Sequence, residues 1–123
     1  MPLEDYFPPM GTRSTIMDWD SALRDADWEK ARTLLADDAT YVAVDPPIDC
    51  KGPDDILDLM RSFKGVNPDV ELLDLEVTGP SGIAALRQPA WDWEWFQLIT
   101  VDGDHITRLE DFPTRESALA ALG

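Results

Sequence analysis

The stretch PAWDWEWFQLITVDGDHITRLEDF, residues 89–112, decides the fold. Trp91, Trp93 and Trp95 alternate with Asp92, Glu94 and Phe96. In a strand, side chains two apart share a face, so the three indoles would form one wall. Asp102-Gly103 then signals a tight hairpin, and HITRLEDF returns as the partner strand. Along that return, Arg108 and Glu110 share one face while Thr107, Leu109 and Asp111 share the other. The charged pair faces water most readily, which turns Asp111 inward beside Leu109. The matching inner face of the tryptophan strand is the odd one: Trp91, Trp93, Trp95, Gln97, Ile99 and Val101.

Outward from this hairpin, the chain reads as α+β. STIMDWDSALRDAD opens a first helix with Ser14 or Thr15 as cap, and Ile16, Trp19, Leu23 and Ala26 recur at helical spacing. Asp27 caps a second, short helix, WEKARTLLAD, and ATYVAV follows as a strand stopped by Asp45-Pro46-Pro47. Gly52-Pro53 starts a third helix, DDILDLMRSF, with acids at its positive end. VELLDLEV and IAALRQ, joined by the GPSG turn, add two strands before the tryptophan strand, which is predicted from Trp91 to Val101. Thr114 caps a last helix, RESALAAL, with Gly123 at its C-terminal end. The order predicts helices gathered on one face of an antiparallel meander. Residues 1–13 are expected to be an irregular arm and residues 14–123 one domain, and no internal repeat is evident.

Composition narrows the function. With 25 Asp and Glu against 10 Lys and Arg, the formal charge is −15. Such a chain repels phosphate backbones and anionic lipid alike, so nucleic acid and membrane surfaces are not expected partners. The single cysteine, Cys50, excludes an intrachain disulfide and a cysteine-based metal cluster, and fits a reducing cytoplasm. No apolar run is long enough to suggest a membrane span, and the acidic, proline-rich start is unlike a signal peptide. One histidine, no paired cysteines and acids at no ligand spacing give no metal site. No cofactor is expected.

The run WDSALRDADWEKARTLLADDATYVAVDPP…KGPDDILDLM, with the closing VDGDHITRLEDFPTRESALAALG, resembles SnoaL-like proteins of the nuclear transport factor 2-like superfamily. The resemblance covers roughly residues 14–123 and implies a cone: a curved antiparallel sheet wrapped around a pocket, closed by three N-terminal helices and a short C-terminal one. Ketosteroid isomerases of that superfamily use an aspartate base with a tyrosine and a protonated aspartate as oxyanion hole, a standard case of pKa tuning. By that resemblance Asp45 matches the base, while Trp19 falls on the tyrosine and Gln97 on the second aspartate. Steroid isomerisation is therefore disfavoured. Polyketide cyclases of the SnoaL type imply an acid/base role for Asp111; their histidine has no clear match, because His105 sits in the hairpin turn. The family also implies a homodimer, commonly through the outer sheet face, where Phe96 and Leu98 would be available.

Together these readings describe a cofactor-free protein that takes a small hydrophobic, ring-containing ligand against its tryptophans. Asp111 or Asp45 would move a proton in an isomerisation, cyclisation or dehydration. Gln97, Tyr41 and an indole N–H would steady the developing oxyanion, and Trp19, Met60, Trp91, Trp93 and Trp95 would line the pocket. Each reading has a plainer alternative. Asp111 is otherwise a structural acid, Asp45 an ordinary turn residue, and the tryptophan wall core filling or a dimer surface. A non-catalytic binding or dimerisation module of the same fold is the rival class.

Overall fold

The protein was analysed as a computed structural model that describes residues 11–44, 47–66 and 70–122, without the side chains of residues 63–66 and 91. Among these, four helices and six strands run in the order α1 (Thr12–Arg24), α2 (Trp28–Leu34), β1 (Leu35–Val44), β2 (Pro47–Lys51), α3 (Pro53–Val66), β3 (Glu71–Thr78), β4 (Ser81–Gln88), β5 (Trp93–Asp102), β6 (His105–Phe112) and α4 (Arg115–Leu122). Residues 1–10 of the expected arm, Asp45 and Gly123 lie outside the described residues. The α+β class matches the expectation, and so does the element order apart from β2. Among the described residues, no helix is long and apolar enough to cross a membrane.

The strands form one open sheet in the order β2-β1-β6-β5-β4-β3. Its β3-β4-β5-β6 portion is the antiparallel meander read from the sequence. Contrary to the all-antiparallel expectation, β1 runs parallel to β6, aligning Thr40, Tyr41 and Val42 with Arg108, Leu109 and Glu110. The sheet is therefore mixed. β2 falls where only a loop was expected; it pairs antiparallel with the edge of β1, from Thr40–Lys51 to Val44–Pro47. A proline is tolerated there because the outer edge needs no donor. Register shifts between Leu35 and Thr40, Leu72 and Asp74, and Thr100 and Val101 mark where strands bend.

Helices α1–α3 cover one face. Ile16, Trp19 and Ala22 of α1, Ala31 of α2, and Ile56 and Leu57 of α3 are buried in one cluster with Tyr41, Leu75, Ala84, Ile99 and Leu109 from the strands. The opposite face is not bare. Ala118 of α4 is buried against Ile83 and Leu98, with Phe96, Phe112 and Leu122 packed beside them. This corrects two expectations. The helices are not all on one face, and Leu98, at 4% exposure, is not an available dimer surface, because α4 already covers that stripe.

Close approach of α1 to the sheet depends on a missing side chain. A Cβ at Gly82 would stand 2.5 Å from Ile16 Cδ1 and 3.2 Å from Leu75 Cδ1. Ile16 is itself only 1% exposed and has little room to yield.

Helix ends follow local chemistry. Gly11, rather than Ser14 or Thr15, is the N-cap of α1. Asp27 caps α2 as expected, accepting from Lys30 N at 3.2 Å, and Thr114 Oγ1 accepts from Ser117 N at the start of α4. At the end of α1, Asp27 N bonds Ala22 O and Ala26 N bonds Leu23 O, a Schellman closure with Ala26 at φ 54°. That left-handed position suits glycine. Ala26→Gly is expected to stabilise the protein by about 0.5–1 kcal/mol, read as a higher denaturant midpoint with unchanged slope.

Candidate functional site

Strand order places three of the predicted side chains together. β6 lies between β1 and β5, so Asp111 on β6 meets Gln97, its direct cross-strand partner on β5, and Tyr41 on β1. Tyr41 Oη donates to Asp111 Oδ2 at 2.6 Å. Gln97 Nε2 donates to Asp111 Oδ1 at 2.9 Å and to Tyr41 Oη at 3.3 Å. Tyr41 and Gln97 are buried, whereas Asp111 keeps partial exposure. All three face the helix-covered side, as Leu109, fully buried on the same face of β6, confirms. The outward pair is Arg108 and Glu110, bonded to each other at 2.6 Å.

The electrostatics of this cluster follow from its burial. Withdrawal from water raises the Asp111 pKa above the ordinary aspartate value, and the donors of Tyr41, Gln97 and Trp95 oppose that shift without cancelling it. The Tyr41 hydroxyl is held well above its usual value by burial first, then by the negative charge and hydrogen bond of Asp111. Tyr41 therefore remains a neutral donor. Both amide hydrogens of Gln97 and the hydroxyl hydrogen of Tyr41 are aimed within the cluster, so these groups orient Asp111 instead of facing a vacant oxyanion position.

The tryptophans divide. Pro89–Trp91 is a 3-10 turn capped by Asp92 in the left-handed conformation at φ 49°, so β5 begins at Trp93 and Trp91 is not on the strand. Trp93 and Trp95 stack with centroids 4.9 Å apart and planes 27° apart. Trp93 is 44% exposed, so the inward character of the odd face begins at Trp95 and becomes complete at Gln97, Ile99 and Val101. The buried Trp95 Nε1 has no partner in hydrogen-bond geometry, although it lies near enough to favour the charged form of Asp111. Trp19 is buried in the same cluster as Tyr41, and Met60 is half-buried against it.

One group escaped the sequence reading. Gln88, at the end of β4, is 2% exposed. Its Oε1 accepts from Ala90 N at 3.1 Å, leaving Nε2 buried without an acceptor among the described residues. The signal was available: Gly82, Ala84, Leu86 and Gln88 alternate as an otherwise apolar face.

His105 is exposed in the hairpin, where Gly103, at φ 63°, holds the first central position of the turn. A separate hollow of about 350 Å³ near that turn is lined by Asp37, Asp38, Asp102 and His105 with three neighbours, and does not include the Asp111 cluster.

Solved structures share this architecture. A candidate ketosteroid isomerase from Kribbella flavida is 22% identical, over 85% of this chain and 78% of its own, with TM-score 0.67. A candidate polyketide cyclase from Sinorhizobium meliloti is 19% identical over 80% and 93%, with TM-score 0.71. A nuclear transport factor 2-like protein of unknown function from Cytophaga hutchinsonii is 14% identical over 89% and 96%, with TM-score 0.70. The chain has the nuclear transport factor 2-like fold. No family model and no curated protein sequence matches it. Within the nuclear transport factor 2-like fold of this chain, the helix-covered face carries Tyr41, Gln97, Asp111 and the Trp93–Trp95 stack.

Proposed function

We propose that this protein binds a small hydrophobic, ring-containing molecule on the helix-covered face and that Asp111 acts on it as a general acid/base. The observation that carries the reading is the partly exposed Asp111 carboxyl, gripped by Tyr41 and Gln97 and raised in pKa by burial. A carboxyl tuned upward and fixed in direction suits proton transfer next to a carbonyl. Isomerisation, cyclisation and dehydration share that step and need no cofactor. The Trp93–Trp95 stack offers the aromatic surface. Tyr41 and Gln97 serve as positioning residues.

Titration with aromatic ketones, followed by tryptophan emission, tests the binding. A saturable change that Trp93→Ala weakens is expected. No change with any ketone, in a protein whose circular dichroism is intact, overturns the pocket.

A second reading is favoured by one fact: both carboxylate oxygens of Asp111 already have donors. On that reading the cluster is structural, and the domain binds a ligand or forms a homodimer without chemistry. Ligand binding without any proton exchange would support it.

A further inference from the structure

Trp95 carries a buried indole N–H with no partner in hydrogen-bond geometry, beside a carboxyl group with room to accept it. Gln97 stands directly opposite Asp111 across β5 and β6, so Trp95, two residues earlier on the same face, is the diagonal neighbour of Asp111. An indole spans the roughly 7–8 Å between such backbones. The oxygens of Asp111 receive Tyr41 and Gln97, yet a carboxylate offers about four lone-pair sites. Trp95 lies near enough to favour the charged carboxylate, and closing the remaining misalignment would satisfy the orphaned donor. The Trp93 ring is stacked on Trp95 with planes 27° apart, a wedge that leaves the indole room to tilt. Trp93 itself is 44% exposed, so the stack runs from solvent to the carboxyl group.

We propose that Trp93 and Trp95 form a relay: the Trp95 N–H closes onto the ionised Asp111 carboxylate, and a guest stacked on the Trp93 ring holds it closed. The inference rests on the binding reading above and adds a regulation to that site, in which the guest keeps its own base in the charged, proton-accepting form. A charge-assisted bond is the stronger one, so the N–H closes when Asp111 ionises and relaxes when it is protonated. By reciprocity, a guest that favours the closed bond binds more tightly to the ionised protein. Among the described residues, the groups acting on Asp111 are the uncharged Tyr41 of β1 and Gln97 and Trp95 of β5. Beyond Tyr41, on β2, stands the Cys50 thiol, its pKa raised by burial first and then by the charges of Asp55 and Asp49. From the helices, Asp20 of α1 is paired with Arg24 at 2.9 Å, while Ala31 of α2 and Ile56 and Leu57 of α3 bring only apolar groups.

Toluene, an aromatic probe with nothing to titrate, tests the relay, because its affinity depends on pH only through the protein. It is titrated by NMR into the full chain on either side of the Asp111 midpoint, which is read from the carboxyl carbon. Binding about 5-fold tighter where Asp111 is ionised is the expected result. Desolvation alone gives the opposite sign, since an apolar guest beside a carboxyl group favours the neutral acid. The Trp95 indole N–H resonance should also move downfield as Asp111 ionises, and further with toluene bound. Trp95→Phe keeps a ring and removes the N–H; toluene should still bind it, with the preference lost or reversed. Equal affinity at both pH values, or tighter binding below the midpoint, overturns the relay and leaves the binding reading standing. If toluene binds at neither pH the relay falls, and the ketone titrations described above decide the binding reading separately. Should Trp95→Phe fail to fold, the unmodified protein decides: an indole resonance that stays in place through the Asp111 titration overturns the relay.

Discussion

Asp111→Asn is expected to slow exchange of the α-protons of a bound aromatic ketone with solvent by about 10²–10⁴-fold. Asparagine keeps the size of the side chain and one acceptor, but cannot take a proton. Exchange into deuterated water, followed by NMR of the ketone, measures the step without knowledge of the natural product. In the unmodified protein the rate should rise with pH as Asp111 ionises. Because burial raises the Asp111 pKa, that rise lies above the range of an ordinary aspartate. An Asn variant that exchanges at the unmodified rate would remove Asp111 from the chemistry. A protein that binds ketones and exchanges none would establish the binding-module reading.

Tyr41→Phe carries the second large effect, and its size depends on pH. The Tyr41 hydrogen bond favours ionised Asp111, so its loss moves the carboxyl pKa further up. Asp111 already sits above its unfolded value, so its ionisation lowers stability as pH rises through the folded pKa. The variant deepens that loss. It is expected to be less stable by about 1–3 kcal/mol at neutral pH, with the gap narrowing below the ordinary aspartate pKa, where Asp111 is protonated in both states. Paired urea titrations at neutral and strongly acidic pH measure this. The rising limb of the exchange profile should move to higher pH in the same variant. A stability gap independent of pH would mean that Tyr41 matters through packing alone.

Much of this arrangement is legible in local sequence. Leu109 and Asp111 share an inner face because Arg108 and Glu110 must share the other, and the structure keeps that alternation. Pairing between distant segments is less legible. Tyr41 meets Asp111 through a parallel alignment of β1 with β6, across 70 residues of chain. Period-2 logic assigns faces without assigning neighbours, so Tyr41 and Asp111 could be placed on inner faces but not in contact. The tryptophan wall fails at Trp91 for a local reason: Pro89 begins a tight turn and Asp92 adopts a left-handed conformation, so alternation starts two residues later. The outer stripe of Phe96 and Leu98 reads equally well as a partner surface or as the seat of α4, and only the tertiary structure selects α4.

Gly82 has a further meaning for how α1 seats on the sheet. With a Cβ there 2.5 Å from Ile16 Cδ1, the absent methyl works as a shim left out between ceiling and floor. The clearance between α1 and the sheet is thus set by one missing carbon. Restoring that carbon would jack α1 upward, at a cost in packing.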